Sequence, residues 1–452
     1  VRSRLRAVWR RVFALAWPVM AEQTLRTLMR TVDVVVTAAI SPAAVVAVGL
    51  ADLYARFPLR VGLGLGGGAI SLSSQDTGRD ATATRDEAIT QAVLVGALAG
   101  VPFAAFGVGF GPAAIRLLGA APDVVALSST YLAVILLTAP ARHVALIAAR
   151  ALQGTGDTRT PMYVNAVSNL GNVAGSVGLG LGYFGLPELG VVGVGAATAA
   201  ANVFTAVALT LAIASTYTTA GFARPQSRTI TKQLFAVSAP KIAEGAVSAL
   251  AEFPFNALLL SFGTNVNAAF QIGRRVYQQV TGPLSRGYNV AANVVVGQAL
   301  GEVDPETARF DGWAVAALGV LTVGAVGLLL SYFARPLVAL LADEPETIRH
   351  GVWFARAYGL SAPFLAAFVG LSGALQGASE TRVPFVARAT GMLGFFVGFS
   401  WLAGRTLDYG PLAAYWGVAL SNVWMAAVVT VGFHYGDWAS RAGSMMAERA
   451  DS

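Results

Sequence analysis

The sequence predicts an all-α integral membrane protein: twelve transmembrane helices in two parallel six-helix bundles. Three observations carry this. The 452-residue chain is 55% hydrophobic and only 12% charged, about half the charged share of a soluble domain, which is roughly 25%. Apolar stretches of bilayer-crossing length recur about twelve times. Long-range self-similarity at one nearly constant offset divides the chain into two like halves. Alternation of the kind a membrane barrel needs is absent from the pattern.

In order, the predicted spans are 12–40, 43–74, 88–111, 123–149, 161–184, 190–216, 234–262, 266–298, 308–333, 346–374, 384–404 and 411–434. The first is the most informative. It is apolar enough to cross a bilayer yet carries Glu22, Arg26, Arg30 and Asp33. Glu22 and Arg26, and Arg26 and Arg30, are four apart and share one helical face, while Arg30 and Asp33 are three apart and can meet. Pro18 frees a backbone carbonyl one turn back and permits a kink. Charge inside a membrane helix usually faces a polar cavity or a partner. The segment therefore reads as a bendable, cavity-lining helix, against the alternative of a static salt-bridged stripe. Asp52, Arg56 and Arg60 repeat the pattern on the second span, and Arg274, Arg275 and Arg286 repeat it on the eighth.

The repeat is specific. Ala151-Leu152-Gln153-Gly154-Thr155-Gly156-Asp157-Thr158-Arg159-Thr160-Pro161 returns as Ala374-Leu375-Gln376-Gly377-Ala378-Ser379-Glu380-Thr381-Arg382-Val383-Pro384, an offset of 223. The same offset relates Tyr54 to Tyr277, Gln75 to Gln298 and Ala139-Pro140 to Ala362-Pro363, and an offset of 222 relates Pro18 to Pro240 and Glu22 to Glu244. Six spans per half, an even number, give both halves the same orientation, and parallel repeats hold their substrate between them. The expected division is an N-lobe over 1–216, a linker over 217–233 and a C-lobe over 234–452. Arginines concentrate in the loops on the same side of the membrane as the basic N-terminus, which puts both termini in the cytoplasm of a multi-pass inner-membrane protein.

Several function classes drop out. Cysteine is absent, so no disulfide framework or thiolate chemistry is available. The net charge of +7 is spread over loops and helices and signals no nucleic-acid partner. Gly62-Leu63-Gly64-Leu65-Gly66-Gly67 matches a dinucleotide fingerprint by spacing alone, inside a span with no preceding strand. Gly370-Leu371-Ser372-Gly373 with a later His434 outlines an intramembrane hydrolase, the weakest reading, because a nucleophile needs its base within hydrogen-bond reach. His143 and His350 stand apart and have no metal-ligand spacing.

With these residues in view, the chain resembles the multidrug and toxic compound extrusion (MATE) family of cation-coupled antiporters. The likeness rests on the six-plus-six pattern, the linker, the two Gln-Gly-x-Gly/Ser-Asp/Glu-x-Arg-x-Pro turns and Gly297-Gln298-Ala299-Leu300-Gly301. It covers essentially the whole chain. The branch resembles prokaryotic, DinF-like members with a carboxylate on the first helix, matched by Pro18 and Asp33. The resemblance implies a V-shaped pair of bundles and a cation site in the N-lobe. Asp33, Asn172 and Thr198 match that site, with Ser176 standing where the family pattern has a second Asp. The coupling ion would be H⁺, or Na⁺ held by Asp33, Asn172 and Thr198, with no other cofactor. Pro18 would be the hinge.

Candidate residues for a substrate cavity are Glu22, Arg26, Met29, Arg30, Asp52, Arg56, Glu244, Glu252, Asn256 and Arg275. Asn256 holds the place of Asp33 in the second half, so the ion site is expected to be one-sided. The internal arginines either recognise an anionic or zwitterionic group or merely pair with acids and snorkel. The function predicted is export of amphipathic small molecules by a monomer in the lipid bilayer, by alternating access. The alternative is a flippase for a lipid-linked saccharide or another amphiphile.

Overall fold

The computed structural model describes residues 2–452, and among them it is helical with no strand. The first half runs α1 (Arg2–Ile40), α2 (Pro42–Gly78), α3 (Thr82–Leu117), α4 (Pro122–Leu137), α5 (Ala139–Gly154), α6 (Arg159–Leu181) and α7 (Gly190–Ala214). The second runs α8 (Arg228–Phe262), α9 (Thr264–Gly301), α10 (Pro305–Tyr332), a short α11 (Ala334–Ala339), α12 (Pro345–Leu360) and α13 (Ala362–Gly377). It ends with α14 (Arg382–Thr390), which continues into π-helical turns over Gly391–Phe399 and Leu402–Thr406, then α15 (Pro411–Tyr435) and α16 (Trp438–Ala450). Among the described residues, seven helices are long and apolar enough to cross a membrane, or nine when each of two bent pairs is counted as one span. The polar faces of α1, α6 and α9 keep these three below the same hydropathy limit.

Each bent pair occupies one of the expected spans, 123–149 or 346–374. Both α4–α5 and α12–α13 turn by 46°. The breaks fall at Thr138 and Ser361, each followed by Ala-Pro. Proline has no N–H to give and prefers the first turn of a new helix, so the repeated Ala-Pro restarts the helix in a new direction in both halves. The helix-end turns repeat as well. The Asp157 carboxylate accepts from the Arg159 and Thr160 N–H groups at 3.2 and 3.0 Å, and Glu380 accepts from Arg382 and Val383 at 3.0 and 3.3 Å. Each acid satisfies free N–H groups at the start of the next helix. The turn needs a left-handed residue, supplied by Gly156 (φ 94°) and by Ser379 (φ 60°). A Cβ on Gly154 would lie 2.8 Å from the Ile70 carbonyl oxygen, and one on Gly377 would lie 2.4 Å from that of Asn293. The partners too are 223 apart, so the repeat extends to how the helices pack.

Two compact units share the chain. One comprises residues up to Met20, Gly78–Asp80 and Ala239–Glu448; the other comprises Ala21–Thr77, Ala81–Ser238 and Arg449–Ser452. The first is held by an aromatic core of Phe255, Phe270, Tyr277, Phe354, Tyr358, Phe396 and Tyr415, with the Phe255 and Phe396 rings stacked 3.9 Å apart. The second is built on smaller side chains, among them Ala44, Ala51, Ile115, Leu132 and Ile135. It is braced by buried His143, whose ring bridges the Gly96 and Pro58 carbonyls at 3.0 and 2.7 Å.

Candidate functional site

Asp33 lies seven residues before the end of α1, in the second unit. Its carboxylate accepts from the Ser176 hydroxyl at 2.8 Å and from the Asn172 amide at 3.2 Å. Both partners are on α6, four residues apart, so one face of that helix presents both. Asn172 and Ser176 are buried, and the Asn172 Oδ1 has no hydrogen-bond partner. A buried amide oxygen without a donor costs free energy. It lies on the same side chain whose NH₂ group holds the carboxylate. Carboxylate, amide and hydroxyl oxygens are hard donors of the kind alkali cations take. Thr198 makes no hydrogen bond to Asp33; its hydroxyl donates to Val194 in its own helix at 3.2 Å. Arg30 forms no ion pair with Asp33 within 4 Å.

The charged faces of α1 and α2 converge with α5. Arg26 pairs with Glu22 at 3.4 Å. Arg30 is within electrostatic reach of Arg26, Asp33, Asp52 and Arg56. Arg142 reaches Arg26, Arg30 and Asp52, and Arg150 reaches Glu22 and Arg26. Arg30, Asp52 and Arg56 are exposed, yet Arg30 and Asp52 are densely surrounded by protein, as groups lining a concavity are. Met29 on the same stretch of α1 is half-buried. Arg142 and Arg150 were not anticipated. Arg150 reads as a loop residue in the sequence, but it lies inside α5 with Arg142 two turns earlier, and that eight-residue spacing was the available signal.

In the other unit, the acids of α8 are paired with bases. Glu244 accepts from Lys241 at 2.8 Å and faces Arg388 at 3.5 Å, and Glu252 pairs with Arg274 at 2.9 Å. Asn256 replaces a carboxylate with an amide: its Oδ1 accepts from Asn267 and Gln271 at 2.8 and 2.9 Å. Arg275 is exposed on α9. Ser372 is buried with no hydrogen-bond partner for its hydroxyl, and His434 meets Trp313 and Tyr435 rather than Ser372. Among the described residues no group of three His, Cys, Asp or Glu gathers as a metal site.

The MatE family model matches residues 18–177 and 240–402, one stretch in each half. The chain belongs to the MATE family. Members of this family are membrane transporters of small molecules, not enzymes. Among curated relatives, a Rhodopseudomonas palustris protein named "Probable multidrug resistance protein NorM" is 28% identical over 93% of this chain and 90% of its own length. A Burkholderia vietnamiensis multidrug resistance protein NorM is 32% identical over 60% of this chain and 58% of its own. Among solved structures, a MATE protein in the bent conformation superposes with a TM-score of 0.87 at 20% identity, over 99% of this chain and 98% of the other. An outward-facing multidrug resistance MATE transporter of the MOP superfamily gives 0.86 at 21%, over 97% and 96%. At these identities the structural likeness speaks to the fold.

Proposed function

We propose that this MATE protein is a cation-coupled antiporter that exports amphipathic small molecules by alternating access, driven by H⁺ or Na⁺ exchanged at Asp33. The observation that carries the proposal is the Asp33 carboxylate held by Asn172 and Ser176 beside the unpaired Asn172 oxygen. A proton can sit on the carboxylate, or Na⁺ can take the carboxylate, amide and hydroxyl oxygens together. The names of the NorM relatives support drug-like cargo. The first-helix carboxylate supports the DinF-like branch, and the loop arginines support twelve spans with both termini in the cytoplasm of a bacterial inner membrane. The repeat supports lobes over 1–216 and 234–452.

Coupling requires that the ion bind one conformer more tightly than the other. Pro18 is the proposed hinge. It lies two residues before α1 passes from one compact unit to the other, and Pro240 lies just after α8 does the same. Asp33 is fifteen residues beyond Pro18, about 22 Å along the helix, so a bend at the proline displaces the carboxylate relative to α6.

Asp33→Asn keeps size and removes the exchangeable charge. In proteoliposomes under an imposed H⁺ or Na⁺ gradient, this variant is expected to lose gradient-driven export of a fluorescent drug while remaining folded. Full gradient-driven export by Asp33→Asn would overturn the coupling proposal. A static role for Asp33 as the partner of Arg30 instead requires that Asp33→Asn with Arg30→Gln restore transport.

A further inference from the structure

Within the unit that contains Asp33, five guanidinium groups face three carboxylates. Arg26, Arg30, Arg56, Arg142 and Arg150 come from α1, α2 and α5, and Glu22, Asp33 and Asp52 come from α1 and α2. One ion pair within 4 Å forms in this group, Arg26 with Glu22. Asp33 is committed to Asn172 and Ser176. Arg150 donates to Gln153 at 2.9 Å. Among the described residues, the side chains of Arg30, Arg56 and Arg142 have neither hydrogen-bond nor ion-pair partners. Arg30 is within electrostatic reach of both Arg56 and Arg142, and Asp52 is the one acid within reach of all three.

Gathering like charges in a crowded site is unfavourable through repulsion and lost solvation. The other unit shows that this chain can neutralise such groups, since Glu244 takes two bases and Glu252 a third. Surface snorkelling does not account for Arg142, which is half-buried near the start of α5, just after the bend. A guanidinium presents a planar fork of N–H donors that matches the oxygens of a phosphate or carboxylate. Arg30, Arg56 and Arg142 come from three helices, have no protein acceptor of their own and share the surroundings of Asp52, so together they offer donors suited to a tetrahedral oxyanion.

We infer that Arg30, Arg56 and Arg142 form an anion subsite, and that the substrate is an amphiphile whose head group carries a phosphate-type charge rather than a lipophilic cation. Resting on the export reading, this names the class of molecule carried. Asp52 sets the selectivity: its charge cancels one arginine and leaves the seat suited to an anion of one or two charges. The same head group occurs on a soluble phosphate ester and on a phospholipid.

The test compares two ligands with the same tail and opposite heads, octyl phosphate and octyltrimethylammonium. Each is titrated calorimetrically below its micelle concentration into the full chain in phosphatidylcholine nanodiscs. Octyl phosphate is expected to bind at least about tenfold more tightly. Arg30→Gln and Arg142→Gln are each expected to weaken it about tenfold or more, the loss of a charge-assisted bidentate pair, while leaving octyltrimethylammonium unchanged or tighter. Arg142→Lys should recover part of the loss. Displacement of octyl phosphate by inorganic phosphate supports the subsite with a soluble ester as its source. Displacement only by phosphatidic acid in the disc supports it with a lipid as its source. Equal binding of the two ligands, or octyl phosphate affinity indifferent to the arginine changes, overturns the inference. If Arg142→Gln does not fold, Arg56→Gln on the exposed face of α2 carries the same comparison. Because the titration uses no gradient, it separates two failures. Head-group discrimination without gradient-driven export overturns the coupling reading alone, and export of a cationic dye without discrimination overturns the anion subsite alone.

Discussion

Ser176 shows how much one side chain sets the chemistry of the Asp33 site. Its hydroxyl reaches the carboxylate at 2.8 Å, so an acid at this position would put a second negative charge beside the first. Ser176→Asp is expected to raise Na⁺ affinity by about tenfold or more, since two carboxylates bind a cation more strongly than one. Without the cation, the crowded pair should destabilise the protein. Thermal melting across a Na⁺ series reads both effects: a lower melting temperature without Na⁺ and a steeper rise with it. A Na⁺ response identical to that of the wild type would count against Ser176 lying in the ion site. Asp33 was legible in the sequence because a charge inside an apolar span is conspicuous, whereas Asn172 and Ser176 were reached only through the family resemblance. Arg142 was not, because it lies just past an Ala-Pro step in a run whose apolar character hides a change of direction. His143 looked isolated, as a side chain that binds only backbone carbonyls leaves no pattern of partner residues to read.

At the level of elements, the repeated turn after α5 and α13 makes a sharp comparison. Ser379 holds a left-handed φ of 60° where the equivalent Gly156 holds 94°. A side chain in this region costs roughly 1 kcal/mol or more, partly offset by the extra freedom a glycine has when unfolded. Ser379→Gly is therefore expected to be neutral or to stabilise by up to about 1 kcal/mol. Gly377→Ala, two residues earlier, should do the opposite, because its Cβ would sit 2.4 Å from the Asn293 carbonyl oxygen on a packed helix. Its cost is expected at about 1–3 kcal/mol, the range for overpacking. Melting temperatures of the two variants, moving apart from the wild type, would confirm the assignment; a Gly377→Ala protein as stable as the wild type would refute the close approach. The motif itself was legible because it recurs. The 46° bends were not, because hydropathy records how apolar a segment is and not where it points.

For the whole molecule, self-similarity exposed the duplication, but it does not describe how the chain is shared between compact units. Residues up to Met20 are counted with most of the second half, while Arg228–Ser238 and Arg449–Ser452 are counted with the first. The exchanged pieces make specific bonds inside the unit they join. Arg11 donates to Gln298 at 2.6 Å, and the Trp9 indole donates to the Ala314 carbonyl at 2.9 Å. Thr231 donates to Gln91 at 2.5 Å. Arg449 is fully buried against Asp76 at 2.9 Å and also donates to Gln75 and Gln233 at 2.9 and 2.6 Å. Removing one member of a buried ion pair costs about 3–5 kcal/mol, a large fraction of the net stability of a typical domain. A chain cut between Arg224 and Pro225, both exposed, therefore yields fragments that each lack part of their own unit. The first is without Thr231, Gln233 and Arg449, and the second is without Trp9 and Arg11. Expressed singly, both are expected to aggregate or melt well below the intact protein, whereas co-expressed they should co-purify as one species with a melting temperature near that of the uncut chain. Arg449→Met in the intact chain should lower the melting temperature by itself, and Asp76→Asn with Arg449→Gln should recover part of the loss, because no unmatched charge then stays buried. Two fragments that each run as monodisperse, independently stable species on size exclusion would show that the exchanged segments are dispensable.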